Sequence, residues 1–436
     1  MARRFLLSGL LAIAALAQIH AAAAQSTSPP FPHLGGVLIA GSVQSSFGTT
    51  SYQQLVAKTG VAVIGLYPGW SSGGFTFNSA AAAVKALNPN IKLFPYTNLM
   101  EFEPGVGSSG SAYSPMWSVV NENNWFLRTA WPSGSITDAD GNPQQGINQT
   151  NNAYLTWRAG WTAANEITSN WDGVYLDNVF WQPRVSADYS QSGSSQSPSA
   201  AGQTWRNGYA AYVKLLKAAL PAGSLVIGNT ADWGNGPIPG YNQMLNGGVM
   251  ESLIGQSYSY ETAGWATMMN AYKIIMNATI SPGYQIFHQD GSTTDYRGMR
   301  YGLASCLLDN AYYYHSNNGA DDTIPLYDEF SFNLGAPSAG PAGSATATYS
   351  NGGLTVWSQG VWRRDFANGI ALVNPKGNGT QTVTLETSYK HLSGTQAPTV
   401  NSGQTVTTVT LNDRDGVILQ RLTSQPVPDA PSLSVQ

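Results

Sequence analysis

The stretch Trp171–Pro183, WDGVYLDNVFWQP, decides how the chain is to be read. Its GVYLD segment (173–177) is apolar at every position before the last, which marks a strand covered on both faces. The run stops on Asp177, with Trp171, Tyr175, Phe180 and Trp181 around it. A buried strand tolerates a carboxylate at its end only where that end opens to water or to a ligand.

Seven further runs share this character: VLIAG (37–41), VAVIGLY (61–67), IKLFPYT (91–97), SLVIGN (224–229), GVMESLIG (248–255), YQIFHQ (284–289) and NAYYYH (310–315). Helical patterns alternate with them: SYQQLVAKTG, NSAAAAVKALN, AYLTWRAGWTAANEITSN, residues 201–219, WATMMNAYKIIMNA and RGMRYGLASCLL. Eight such units in roughly 280 residues predict an α/β fold, a (β/α)8 TIM barrel, over residues 31–335. A doubly wound open sheet is the alternative, but no glycine-rich phosphate loop follows the first strand. Two connections are long. The one after strand three predicts a hairpin turning at Asp140-Gly141, and the one after strand four carries the Ser/Gln-rich loop 186–200. Both leave the carboxyl ends of strands, the face on which barrel enzymes build their sites.

From residue 340 to 423 the pattern changes to alternating strands with Gly/Asn turns, which predicts a small antiparallel β-sandwich. The tail 424–436, rich in Pro and Ser, is expected to be disordered. Residues 1–24 read as a signal peptide: Arg3 and Arg4, then an apolar run, then AAAAQ. That run is shorter than the ~20 residues a bilayer span needs. The expectation is therefore a secreted or periplasmic protein, monomeric and with no membrane segment after cleavage.

Only 10% of the residues are charged and the net charge is −4. With no basic patch, nucleic acid is excluded as a partner. The single cysteine, Cys306, lies in an apolar run and reads as core. No His/Cys cluster has metal-ligand spacing, so no cofactor is expected. Thirteen Trp, 22 Tyr and abundant neutral amides suit a carbohydrate, whose rings offer apolar faces and whose hydroxyls pair with amides and carboxylates.

Two carboxylates across a sugar-sized cleft are the minimum for glycosidic bond cleavage. Asp177 and Glu251 form the expected catalytic pair, because strands four and six sit two places apart around the barrel and their mouths can face one substrate. Glu101, Glu103, Asp232, Asp290 and Asp328 are the alternatives to Glu251. Tyr96, Asn178, Asn229, Gln256, His288 and Asp290 are candidates for contacts with substrate, as are Glu101 and Asp328. Asp328 and Glu329 could equally close a domain interface. Trp70, Trp125, Trp181 and Trp233 lie at strand ends or in the long loops, and at least two of them are expected to stack on sugar. Asp172, before a glycine, reads as a turn residue.

At WDGVYLDNV the chain resembles a group of TIM-barrel glycosyl hydrolases defined largely from sequence and distantly similar to the endo-α-1,4-polygalactosaminidases. WFLRTA ahead of a DG turn, INQTNNAYLTWRAGW before strand four, YDEFSFNLG after the barrel and NGIALVNPKG…DGVIL near the end fit the same group. The resemblance implies a glycoside hydrolase of retaining mechanism, with Asp177 as nucleophile and Glu251 as acid/base. Two other expectations compete with it. A carbohydrate-binding protein on a barrel scaffold would bind glycan without turnover. A metal-dependent hydrolase or deacetylase would need histidines at strand ends, where they are scarce.

Overall fold

A computed structural model describes residues 31–422, except 103–104, 109–112, 128–134, 138–142, 184–185, 191, 236–240, 242 and 338–355. The expected signal peptide, tail and Asp140-Gly141 turn, and Glu103, lie outside the described residues.

Eight parallel strands form one sheet in sequence order. They are β1 (Gly35–Leu38), β2 (Val61–Ile64), β3 (Lys92–Thr97), β4 (Gly173–Leu176), β5 (Leu225–Asn229), β6 (Gly247–Ile254), β7 (Tyr284–Gly291) and β8 (Tyr312–Asn317). The sheet closes on itself: Leu34 bridges Tyr313 in parallel sense, and the Tyr313 N–H donates to the His33 carbonyl at 2.8 Å. All eight expected strands are present, with ends shifted by a few residues. β1 stops at Leu38 rather than Gly41, and β7 continues to Gly291.

Six helices flank the barrel where the apolar periodicity places them: α1 (Thr50–Val56), α2 (Phe77–Leu87), α3 (Asn152–Asn165), α4 (Pro198–Ala219), α5 (Trp265–Asn277) and α6 (Tyr296–Cys306). Most begin at a side chain that accepts the first free N–H groups. Thr49 caps α1, Thr76 and Ser79 form a reciprocal capping box on α2, Asn151 caps α3, Ser197 caps α4 with Pro198 in its first turn, and Asp295 caps α6. The expected eight β-α units are therefore eight strands with six such helices. Among the described residues the β5–β6 connection holds only the 3-10 turn Ala231–Asn235. Trp233 and Tyr241, both buried and stacked at 5.3 Å, join the core that the helices share. β8 leads directly toward the second domain.

That domain is one six-stranded antiparallel sheet of β9 (Val356–Ser358), β10 (Val361–Asp365), β11 (Gly369–Asn374), β12 (Gln381–His391), β13 (Thr405–Leu411) and β14 (Asp415–Arg421), in the order 9-10-11-14-12-13. It curls into a half-barrel, so a single sheet closes over its own core of Val361, Ile370, Leu372, Val383, Tyr389, Val409, Val417 and Leu419. The opposite face carries Trp362, Ala371, Val373 and Ile418, which join the core of the barrel's helices. Trp362 meets Trp265 of α5 at 5.2 Å, and Arg300 of α6 pairs with Asp415 at 3.1 Å and donates to the Gly416 carbonyl.

Candidate active site

Side chains alternate across a strand, and from β4 to β8 the two faces of the barrel strands fall into two apolar clusters. Phe94, Tyr175, Ile227, Val249, Ile286, Tyr312 and Tyr314 pack together inside the barrel. Val174, Leu176, Val226, Met250, Phe287 and Tyr313 pack outward with the helices. Two residues beyond the inner positions of β3 to β7 come Tyr96, Asp177, Asn229, Glu251 and His288. The apolar interior thus ends in a polar rim at the carboxyl face.

Asp177 follows the last residue of β4 and is held on every side. Its N–H donates to the Thr97 carbonyl at 2.9 Å, and its own carbonyl accepts from Tyr209 at 2.7 Å. Tyr96 donates to Oδ2 at 2.6 Å and Asn229 Nδ2 to Oδ1 at 3.1 Å. Asn178 then turns the chain sharply with φ +58° and donates to Glu101 Oε1 at 3.3 Å.

Glu251 reaches the same point from β6 by way of a bulge. The β6–β7 register runs regularly to Met250↔Phe287 and resumes at Ile254↔Gln289, so four residues of β6 advance against two of β7. Bulges beside active sites re-aim side chains, and here Ser252 sits at φ +50°. The Ser252 N–H donates to His288 Nδ1 at 3.1 Å, which stitches the bulge to β7. Glu251 Oε2 then accepts from Asn229 Nδ2 at 2.8 Å. One amide nitrogen therefore donates to both carboxylates. With bonds of 3.1 and 2.8 Å radiating from one atom, the two oxygens lie no more than about 6 Å apart, close enough for two carboxylates to act on one sugar.

Residues 85–370 match hypothetical glycosyl hydrolase family 15. The chain belongs to that family. The match takes in β3 to β8 and with them Asp177, Asn229 and Glu251, so the chain is a TIM-barrel glycoside hydrolase, as the strand-four motif led one to expect. Among curated proteins none matches it. Among solved structures it is similar to Eubacterium rectale Amy13B, at 9% identity and TM-score 0.50 over 91% of this chain and 98% of that one. It is also similar to a noncanonic maltogenic α-amylase, AmyB, from Thermotoga neapolitana, at 12% identity and TM-score 0.45 over 89% and 98% of the two chains. A type III pullulan hydrolase from Thermococcus kodakarensis gives 13% identity and TM-score 0.45 over 87% and 71%. At such identities the likeness to Amy13B is one of fold alone.

Around the central pair of this member of hypothetical glycosyl hydrolase family 15 the remaining expected residues divide. Tyr96 and Asn229 donate to Asp177, and Asn178, next to it in the chain, donates to Glu101. Burial, followed by the charge of Asp177, pushes the Tyr96 hydroxyl well above its ordinary range, so it stays a donor. His288, Asp290 and Gln256 form an adjoining network. Asp290 accepts from Ser252, Ser316 and Gln256. Burial alone would raise its carboxyl, but His288 and these three donors hold it below the usual range.

Other expected residues lie elsewhere. Asp328 faces the second domain: its Oδ2 accepts from the N–H groups of Thr395 and Gln396, each at 2.8 Å, and Glu329 beside it accepts from Asn401 at 2.9 Å. The open choice for these two acids resolves to the domain interface. Trp70, Trp125 and Trp233 are buried; Trp70 donates to the Gln44 carbonyl and Trp233 to that of Val179. Only Trp181 keeps an accessible face, with Arg206 stacked on it at 4.0 Å, so the expected pair of stacking tryptophans is not formed by these four. Asp172 is structural, paired with Lys85 and Lys92 at 2.5 and 3.0 Å. Asp232 accepts from the Trp181 N–H at 2.7 Å.

Asp321 is the acid that the sequence reading passes over. It follows β8 in a run of polar loop residues with no apolar pattern to mark it. Its carbonyl accepts from Ile39 and Ala40, which lays the loop across the end of β1. Oδ1 lies 3.5 Å from His288 Nε2, with Asp290 Oδ1 at 3.4 Å from the same nitrogen. Because Ser252 donates to Nδ1, the imidazole hydrogen sits on Nε2 between two carboxylates. Burial pushes Asp321 up to about 6.

Proposed function

We propose that this hydrolase cleaves its glycosidic bond by double displacement with retention, Asp177 serving as nucleophile and Glu251 as acid/base. The Asn229 clamp carries the proposal. Retaining enzymes hold their carboxyl groups about 5–5.5 Å apart, whereas inverting ones leave about 6.5–9.5 Å for a water. A shared nitrogen donor holds one oxygen of each carboxylate within about 6 Å of the other, which supports retention over inversion.

In the first step an Asp177 oxygen attacks the anomeric carbon while the Glu251 carboxyl passes its proton to the departing oxygen, and the glycosidic C–O bond breaks. In the second, the Glu251 carboxylate takes a proton from water, whose oxygen attacks the anomeric carbon and releases Asp177. The donors Tyr96 and Asn229 fix Asp177 in place, and such preorganised donors stabilise charge without reorganisation during the reaction. Tyr96, Glu101, Asn178 and Asn229 ring the point where the scissile sugar would sit. The low charge of the chain favours a neutral or weakly charged polysaccharide or oligosaccharide, and the Arg3-Arg4 pair with the apolar run after it supports export of an enzyme that we propose acts as a monomer.

The test is hydrolysis of a panel of polysaccharides and aryl glycosides by wild type and Asp177→Asn, with ¹H NMR of the first anomer released. The variant is expected to lose about 10³-fold or more in kcat, the scale of removing a nucleophile, with Tm nearly unchanged and the wild-type product retained. Full activity in the variant, or an inverted first product, would overturn the assignment.

A further inference from the structure

The two carboxylates are held in different ways. Tyr96 and Asn229 both donate to the Asp177 carboxylate, and its backbone is tied to Thr97 and Tyr209. Among the described residues the Glu251 carboxylate accepts from Asn229 alone. One bond at the tip of a long side chain does not set where that side chain starts. The start is set by the backbone, and residues 251–253 fall between the two regular stretches of the β6–β7 register, so the ladder does not set it.

The peptide that joins Glu251 to Ser252 carries the N–H that donates to His288 Nδ1 at 3.1 Å. A peptide unit is planar, so holding this one fixes a torsion at the Glu251 Cα and with it the direction in which the side chain leaves the strand. Ser252 is fixed on its other polar groups as well. Its hydroxyl donates to Asp290, the Tyr258 hydroxyl lies 3.4 Å from its Oγ, and its carbonyl accepts from Ser259 at 2.6 Å. It is buried at φ +50°, where a non-glycine residue stays only if its surroundings hold it.

His288 is set up as a fixed acceptor. It is 2% exposed, and its ring stacks on Tyr314 at 5.2 Å. Nε2 faces Asp290 and Asp321 at 3.4 and 3.5 Å. Those carboxylates favour the tautomer with its hydrogen on Nε2, which leaves the Nδ1 lone pair for Ser252. A buried N–H that has lost its ladder partner needs such an acceptor, and an apolar side chain at this position would supply none.

We infer that His288 is a positioning residue for Glu251, acting through the Ser252 peptide rather than by touching substrate. This rests on Glu251 being the acid/base. Since Asp177 draws its own donors from Tyr96 and Asn229, the effect falls on proton donation to the departing oxygen and not on the attack.

The experiment varies the leaving group. Aryl α- and β-glycosides of glucose, galactose, mannose and xylose are screened for the accepted sugar. Its 2,4-dinitrophenyl glycoside, whose phenolate departs without a proton, is then set against its 4-methoxyphenyl glycoside, which needs one. His288→Gln reaches the place of Nε2 but offers nothing at Nδ1, whereas His288→Asn puts its amide oxygen near Nδ1. His288→Gln is expected to lower kcat/KM on the methoxyphenyl glycoside by about a hundredfold, the scale of a displacement of about 1 Å, and to stay within about threefold on the dinitrophenyl one. His288→Asn should recover most of that loss. Equal losses on both glycosides, no loss on either, or a His288→Asn no better than His288→Gln would each overturn the inference. The ¹⁵N shifts of the wild-type imidazoles test the same point without substitution: His288 Nδ1 is expected to be bare, and a proton there also overturns it. Glu251→Gln should show the same split between the glycosides more strongly; if it loses equally on both, it is the acid/base assignment that fails.

Discussion

Replacing Asn229 tests whether the two carboxylates are held by one amide. Asn229 Nδ2 donates to Asp177 at 3.1 Å and to Glu251 at 2.8 Å, and its Oδ1 accepts from the Ala231 N–H at 3.1 Å. Asn229→Ala removes two hydrogen bonds to acids, each worth about 1.5–3 kcal/mol. Water entering the vacated space restores part of this, leaving a loss of about 3 kcal/mol, or roughly a hundredfold in kcat. Asn229→Asp is the sharper variant because it keeps the shape and the bond to Ala231. It places an oxygen where the donor stood, and two charges about 3 Å apart repel by about 5–6 kcal/mol at an effective dielectric constant near 20. The site escapes this by taking up a proton or spreading the carboxylates, and either change damages a geometry that depends on their spacing. The aspartate variant should therefore fall well below the alanine one, by about 10³-fold or more from wild type in kcat, with a modest change in Tm. The assay is kcat and KM on the best substrate of the panel, with thermal denaturation alongside. An aspartate variant within about threefold of wild type would show that the clamp does not hold the pair, and the spacing argument would fall with it.

Two further predictions concern the supports of the site. Arg158 and Glu166, each 1% exposed, pair at 3.3 Å, and Arg158 also donates to Thr97 and Thr162; Arg158→Met strands the acid and should cost about 3–5 kcal/mol in chemical denaturation, whereas a cost below about 1 kcal/mol would show the pair to be dispensable. For Asp321 the sign follows from linkage. Its folded value of about 6 lies above its ordinary 3.8, so the folded protein holds a proton that the unfolded chain has released, and a penalty builds between about pH 4 and 6 and is complete above. Asp321→Asn should raise unfolding free energy by up to roughly 3 kcal/mol at pH 7 and leave it unchanged at pH 4; equal effects at the two pH values would refute the buried acid.

The barrel could be read from the chain because its strands are covered on both faces, and burial on both faces leaves an unbroken apolar run that polar loops cannot imitate. The helices could be read because their apolar stripes begin at Thr49, Thr76, Asn151, Ser197 and Asp295, side chains that satisfy N–H groups no helix can satisfy internally. Among the described residues the β5–β6 connection holds only a 3-10 turn. There Trp233 and Tyr241 stack in the core, and a pair of stacked rings has no period to detect. The tryptophans misled for a related reason. Trp70 and Trp233 lie after strand ends, where ligand contacts are common, but each has a backbone carbonyl within reach of its N–H, and an indole that can satisfy its one donor is worth more buried than exposed.

The site was readable to the extent that a residue's role follows from its own strand. Asp177 and Asn229 continue the inner face of apolar strands, two places after Tyr175 and Ile227, and that parity can be counted in the sequence. Glu251 also continues a parity, from Val249, but the bulge at Ser252 that fixes its surroundings shows itself only when β6 is laid against β7. Asp321 and Tyr258 have no parity at all. Asp321 acquires its surroundings because its carbonyl ties the loop after β8 to the end of β1, and Tyr258 because its hydroxyl meets Ser252. The Asp321 position depends on a contact between the loop after the last strand and the end of the first, which local pattern does not encode, whereas Tyr258 meets Ser252 within one strand and its turn. The loop after β8 also brings Asp321 to His288, whose other neighbour is Asp290 on the same strand. The groups that continue a strand's inner face are those proposed to do chemistry, and those held by loops surround them, so a search for tuning residues in this fold is best directed at the loops after β6 and β8.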